Sequence, residues 1–339
     1  MTAPPRKIPT RRRPGRLDRW RQGVLYASVA GLALHMYGWY FLDWRAYGKL
    51  SFSGFASLAV GHVNMAAVFC LVLLASLLFA GRIFCGWGCK LSAFQEATEW
   101  IYRRIGFKPE LIHTRARTVR LFIFVPYLLP ILYTWREVGL STAYVDLGAV
   151  EPYTKDLPKT VLAATFYFVS ITFVLTGLFG RRAFCRLVCM FALFFQLFER
   201  LPWVPRVKQR GRCIGCDACD VACPMGIPVK NEILRTAEVR DPECIRCMVC
   251  VDVCPVKALR YGQGATPAPQ EPALAPVVRE SAFPVAVDAA LATLAVAGGV
   301  WAATQITGFH VFLGASWGLI AGGLAWRAWT GFRRLRPAV

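Results

Sequence analysis

The sequence predicts an α-helical membrane bundle of six transmembrane helices with an internal two-helix repeat, into which a small α+β domain rich in cysteine is inserted. Three observations predict it. The chain of 339 residues is 56% hydrophobic with a mean hydropathy of +0.42, too apolar for an ordinary soluble domain. Its 40 Lys and Arg residues are concentrated in alternate intervals between the apolar runs. Eight of its 13 cysteines stand in two identically spaced runs between residues 213 and 254, which in a long chain favours metal ligation over a disulfide scaffold.

A spanning helix takes roughly 20 mainly apolar residues. Six stretches meet that requirement, at residues 23–42, 60–80, 121–138, 161–179, 283–304 and 311–329. The first follows a basic, proline-punctuated start and lacks a small-residue cleavage site, so it reads as a retained helix and not a signal peptide. The third holds Pro126 and Pro130, where a kink is expected. The fifth carries Asp288.

Orientation follows from the basic residues. Residues 1–22, 81–120, 180–282 and 327–339 hold 35 of the 40 Lys and Arg. These intervals alternate between successive spans, which puts the N-terminus, the C-terminus and the cysteine-rich domain on the cytoplasmic side of a bacterial inner membrane. The net charge of +20 is thereby explained by topology and contact with anionic membrane lipid, and nucleic acid is not expected as a partner. The domain boundaries that result are a basic N-terminus at 1–22, a four-helix membrane domain at 23–200, the cysteine-rich domain at 201–262, a Pro/Ala-rich linker at 263–282, two C-terminal spans at 283–329 and a basic tail at 330–339.

The four-helix part contains a repeat. Gly81-Arg82-Ile83-Phe84-Cys85-x-x-x-Cys89 follows the second span, and Gly180-Arg181-Arg182-Ala183-Phe184-Cys185-x-x-x-Cys189 follows the fourth. On a continuous helix Cys85 and Cys89 lie one turn apart on one face, as do Cys185 and Cys189. Four thiols converging at one membrane surface suit a third Fe–S cluster, copper(I) or zinc, or reversible dithiol chemistry. Small buried side chains that close helix packing are the structural alternative. Cys70 has no partner in register and reads as packing.

The strongest chemical signal is Cys213-x-x-Cys216-x-x-Cys219-x-x-x-Cys223-Pro224, repeated as Cys244-x-x-Cys247-x-x-Cys250-x-x-x-Cys254-Pro255. This is the spacing of a bacterial two-cluster ferredoxin-like domain, in which the fourth cysteine of each run serves the other cluster. One 4Fe–4S cluster would take Cys213, Cys216, Cys219 and Cys254, and the other Cys244, Cys247, Cys250 and Cys223. Zinc ribbons also use Cys-x-x-Cys pairs, but they do not need eight cysteines doubled in this way with both prolines. The approach to this domain, with Arg200, Arg206, Lys208, Arg210 and Arg212, reads as a lipid anchor or a dock for an acidic redox partner. Histidine is scarce, at His35, His62, His113 and His310, which gives little basis for haem or for a histidine contacting quinol; His62 and His310 fall near the outer ends of spans and are placed to approach each other, and His35, deep in the first span, reads either as a functional polar residue or as a satisfied buried one. Phosphate-cradling glycine motifs are absent and no nucleophile–base constellation is legible, so no substrate-turnover motif is recognised.

Taken together, GRIFCGWGCKLSAFQE, RRAFCRLVCMFALFFQ and the doubled cysteine run resemble the membrane polyferredoxins, the NapH-, NosR- and CcoG-type 4Fe–4S proteins. The resemblance covers residues 20–262. Lys90 and Met190 stand where family members carry the proline of Cys-x-x-x-Cys-Pro. The resemblance implies an integral membrane protein that transfers single electrons between quinol or a cytoplasmic donor and a membrane or periplasmic redox partner. Its alternative is a factor for assembling or reducing a copper centre of a respiratory enzyme.

Overall fold

The computed structural model describes residues 15–42, 61–107, 159–199 and 201–270, together with short pieces at 44, 57–58, 136, 144–145 and 290. Nine α-helices occur among them. They are α1 (Arg16–Phe41), α2 (Met65–Ala80), α3 (Ile83–Trp87), α4 (Lys90–Arg104), α5 (Lys159–Phe179), α6 (Met190–Phe198), α7 (Ala218–Ala222), α8 (Val229–Thr236) and α9 (Val249–Val253). A π-helical turn, Phe184–Val188, precedes α6. Strands β1 (His62–Val63) and β2 (Tyr144–Val145) pair in parallel, and β3 (Arg206–Gln209) and β4 (Leu259–Gly262) pair antiparallel.

The six-span bundle is not what the structure contains. Among the described residues, no single helix is long and apolar enough to cross a membrane. Helix α1 has the length, but Arg16, Asp18, Arg19 and Arg21 occupy its start, and His35 with several Tyr, Trp and Gly dilutes the remainder. Helix α2 is apolar but has 16 residues, about 24 Å at 1.5 Å per residue against a hydrocarbon core of about 30 Å. It stops because Gly81 takes a positive φ of 62°. Together, Met65–Ala80 and Ile83–Arg104 meet the length and composition requirement only as a pair broken by a sharp bend. The described apolar part of α5 is Val169–Phe179. The expected spans at 121–138, 283–304 and 311–329 lie outside the described residues.

The chain divides into two compact units. The first comprises Met1–Gly31, Ala75–Ala93 and Phe194–Arg279. Its core is built by Val207 on β3, Ile233 on α8, Val249 and Val253 on α9 and Leu259 on β4, with Met225, Ile227, Val239 and Ile245 from the connections. Strand β3 alternates half-buried and buried residues, as a one-sided strand does. Val207 pairs with Tyr261 and Gln209 with Leu259, and Val239 adds to the edge by donating its N–H to the Val207 carbonyl at 2.8 Å. Glu238 is buried beside Arg206, Lys208 and Arg240; burial pushes its carboxyl up, but the bonds from Arg240 and Thr266 and the charges of Arg240 and Arg206 outweigh it and hold the carboxyl below the ordinary value.

The second unit comprises Leu32–Leu74, Phe94–Leu193 and Glu280–Val339. In it Tyr102 of α4 stacks on Phe173 of α5 with ring centroids 4.4 Å apart and donates its hydroxyl to the Phe173 carbonyl at 2.9 Å. Gly177 is required there, since an added Cβ would lie 2.6 Å from the Tyr102 oxygen. Arg181 bonds Glu99 at 2.8 Å, and Arg182 pairs with Glu96.

Candidate functional site

The two cysteine runs are copies displaced by 31 residues, and the backbone obeys the copy. Gly215 and Arg246 have φ of 68° and 54°, Asp217 and Met248 57° and 59°, and Gly226 and Lys257 65° and 49°. Alternating left-handed residues with ordinary ones is the backbone form that turns successive N–H groups toward an anion. Short helices α7 and α9 follow, and each ends on a cysteine in extended conformation, Cys223 and Cys254. The prolines come next and cannot continue a helix. Four residues beyond each of these cysteines a backbone N–H returns to the sulfur: Ile227 donates to Cys223 Sγ and Ala258 to Cys254 Sγ, both at 3.3 Å.

Folding brings the eight thiols to two cavities, four to each. Cys213, Cys216, Cys219 and Cys254 line one, with Ile214, Lys230 and Val256 among its other walls. Cys223, Cys244, Cys247 and Cys250 line the other, with Met225, Ile227 and Val239. The fourth cysteine of each run therefore serves the cavity of the other run. Among the described residues, no three His, Cys, Asp or Glu side chains gather closely enough to grip a single metal ion. Four thiols lining each cavity without closing on one point fit a cubane, whose irons each take one thiolate, better than they fit zinc.

The two cavities differ in their surroundings. All four cysteines of the first are half-buried, whereas Cys223, Cys247 and Cys250 of the second are buried. Burial, then repulsion from Cys247, pushes the Cys223 thiol up to about 12, and burial lifts Cys244 to about 11 against the lowering pull of Arg246. Thiols so placed hold their protons until a cation replaces them. At the first cavity Lys230 bonds Asp217 Oδ1 by its ammonium, and its backbone N–H donates to Asp220 at 2.7 Å.

A second layer closes on the second cavity from far upstream. Helix α3 lies on the loop that carries Cys244 and Cys247. A Cβ added to Gly86 would stand 2.5 Å from the Ile245 carbonyl oxygen and 3.1 Å from Cys247 Cα. Trp87 Nε1 donates to the Arg246 carbonyl at 3.2 Å, and Arg82 Nη1 donates to the Pro242 carbonyl at 2.7 Å. Arg21 of α1 donates to the Gly86 carbonyl at 3.2 Å, and Cys85 packs against the buried core around the cysteines. Beneath this contact Arg246 pairs with Glu199, both fully buried, and the Arg82 backbone N–H donates to the same carboxylate at 2.7 Å. Sequence reasoning did not find Gly86, Trp87, Glu199 or Arg246. One signal was present: Gly86 matches Arg186 in the other copy of the repeat, and a glycine at such a position marks close approach of another backbone.

The four cysteines of the two Phe-Cys-x-x-x-Cys elements do not sit on continuous helices. Cys85 lies in α3 and Cys185 in the π turn, while Cys89 and Cys189 stand between helices, each donating its N–H five residues back to Phe84 or Phe184 at 2.9 Å. The one-turn spacing of an α-helix is broken in both copies. Cys85 and Cys89 belong to the first unit, and Cys185 and Cys189 to the second. In the second unit Gln95 Nε2 donates to Cys185 Sγ at 3.0 Å while its oxygen accepts from the Phe184 N–H at 3.1 Å. Cys70 is buried in α2. His35 lies in α1 and His62 in β1; His113 and His310 lie outside the described residues.

Comparison with known proteins agrees with these features. Residues 212–259 match a family described as a 4Fe–4S dicluster domain. Residues 62–108 and 162–210, the two copies of the repeat, each match a family described as a 4Fe–4S binding domain. An uncharacterized protein of Methanocaldococcus jannaschii is 27% identical over 59% of this chain and 80% of its own length. The putative electron transport protein YccM of Escherichia coli is 27% identical over 57% of this chain and 55% of its own. The ferredoxin-type protein NapH of Haemophilus influenzae is 22% identical over 71% of this chain and 88% of its own. No solved structure matches.

Proposed function

Because the chain belongs to the membrane polyferredoxin-like family of 4Fe–4S proteins, we propose that it binds two 4Fe–4S clusters and passes single electrons between a redox protein and a membrane-bound acceptor or donor such as quinol. The observation that carries this reading is the crossed sorting of eight thiols into two four-thiol cavities. When bound, each cluster supplies a one-electron couple. The chain holds it by thiolates, offers N–H groups to the sulfurs, and keeps the second cavity buried while the first stays near the surface.

The first cavity is the face for exchange with a protein partner. Ile214 and Val256 line it and are 50% and 45% exposed. Arg210 and Arg212 precede it, Lys257 and Arg260 follow it, and all four are exposed. The Arg210 N–H bonds the Ala258 carbonyl at 2.7 Å, which keeps these two segments together. An apolar centre within a basic rim suits an acidic redox protein, whose encounter is steered by charge. The double variant Arg212→Glu/Lys257→Glu is expected to slow electron exchange with an acidic ferredoxin by about tenfold at low salt. Stopped-flow rates against ionic strength measure this, and an unchanged rate removes this face from the reading.

Attachment to a membrane is part of the proposal, supported by the apolar content of α2 and by the family. Protein recovered anaerobically from membranes that have been washed in alkaline carbonate is expected to carry about eight irons per chain, with clusters reducible in EPR. Release of the chain by carbonate overturns the attachment. A colourless, zinc-loaded chain overturns the clusters.

A further inference from the structure

Reduction of a cluster adds a negative charge to its site. Burial resists that addition because a charge in a low-dielectric interior is poorly solvated. The second cavity, with three of its four cysteines buried, is the one where this resistance is greater. The 31-residue copy places a different residue in each loop between its first two cysteines. Gly215 occupies the position at the first cavity, and a Cβ added there would meet nothing within 4 Å. Arg246 occupies it at the second, at a φ of 54°, a left-handed conformation unfavourable for a non-glycine residue.

The strain comes with a buried cation. The Arg246 side chain is 2% exposed, as is that of its partner Glu199. One guanidinium nitrogen reaches Glu199, while Nε and Nη1 have no hydrogen-bond partner among the described residues. A buried guanidinium left two-thirds unsatisfied is unfavourable unless more negative charge stands nearby, and four thiolates around an iron–sulfur core are such a charge. The cation of the first cavity, Lys230, is more exposed and is bonded to Asp217.

We infer that Arg246 is a positioning residue that raises the reduction potential of the second cluster, offsetting the penalty that burial places on its reduction, with Glu199 moderating the effect. This rests on the ligand reading proposed above. Its test is a dithionite titration of the anaerobic full-length protein followed by EPR, with the second cluster identified as the signal lost in Cys250→Ala. Glu199→Gln leaves the cation less opposed and is expected to raise the midpoint of the second cluster alone. Arg246→Met/Glu199→Gln is expected to lower it, and Arg246→Lys to keep it near the unaltered value. If the double variant does not fold, Glu199→Gln carries the test by the sign of its shift. Two clusters whose midpoints stay put, move together, or fall in Glu199→Gln overturn the inference while leaving the ligand reading intact. Fewer than two clusters in the unaltered protein overturns the ligand reading and the inference with it.

Discussion

Gly86→Val is expected to destroy the second cluster while sparing the first. The Cβ alone would press on the Ile245 carbonyl oxygen at 2.5 Å and on Cys247 Cα at 3.1 Å. Both are backbone atoms of the loop that carries Cys244 and Cys247, so no rotamer change relieves the contact. Overpacking of this kind costs about 1–3 kcal/mol even where side chains can adjust, and the added methyls of valine raise it. Movement of the loop displaces Cys244 and Cys247 from their cavity. Iron is expected to fall from about eight to about four per chain, with one EPR signal lost. Gly211→Ala is the control, since its methyl would meet only Ala258 Cα at 3.9 Å. Full iron content in Gly86→Val would show that α3 does not bear on the cluster loop.

The crossing of the cysteine runs gives an equally large and less intuitive effect. Cys254→Ala, although it lies four residues from Cys250, is expected to abolish the same EPR signal as Cys213→Ala and to leave the signal that Cys250→Ala removes. Cys223→Ala is expected to do the converse. The reason is that Cys254 lines the cavity of Cys213, Cys216 and Cys219, while Cys223 lines that of Cys244, Cys247 and Cys250. Each variant should lose about half of its iron. If Cys254→Ala and Cys250→Ala delete the same signal, each run binds its own cluster and the crossed arrangement fails.

Much of the site was legible because its geometry is local. Cysteines two residues apart must lie on one tight loop, a proline after the fourth must end the short helix, and a second copy must make a second loop of the same shape. The positive φ values at Gly215 and Gly226 belong to that pattern. Their counterparts Arg246 and Lys257 give no such hint, because only the fold obliges a non-glycine residue to adopt that conformation. The described apolar runs fall short of single spans for a related reason. Hydropathy reports how much a segment avoids water, and it does not say whether protein or lipid replaces the water. In α2 a glycine turn ends the run at 16 residues, and buried polar groups such as Arg82, Ser92 and Gln95 follow at once.

By itself the sequence determined the doubled cysteine pattern, the crossed grouping of the thiols and the duplicated Phe-Cys-x-x-x-Cys element, since each is set by spacing along the chain. Only the tertiary structure decided that the first copy of that element, through Gly86, Trp87 and Arg82, lies against a loop about 160 residues away. The buried Arg246–Glu199 pair was likewise settled by folding. Such contacts depend on which surfaces meet after the chain has folded, and a one-dimensional pattern carries no term for the partner it will find.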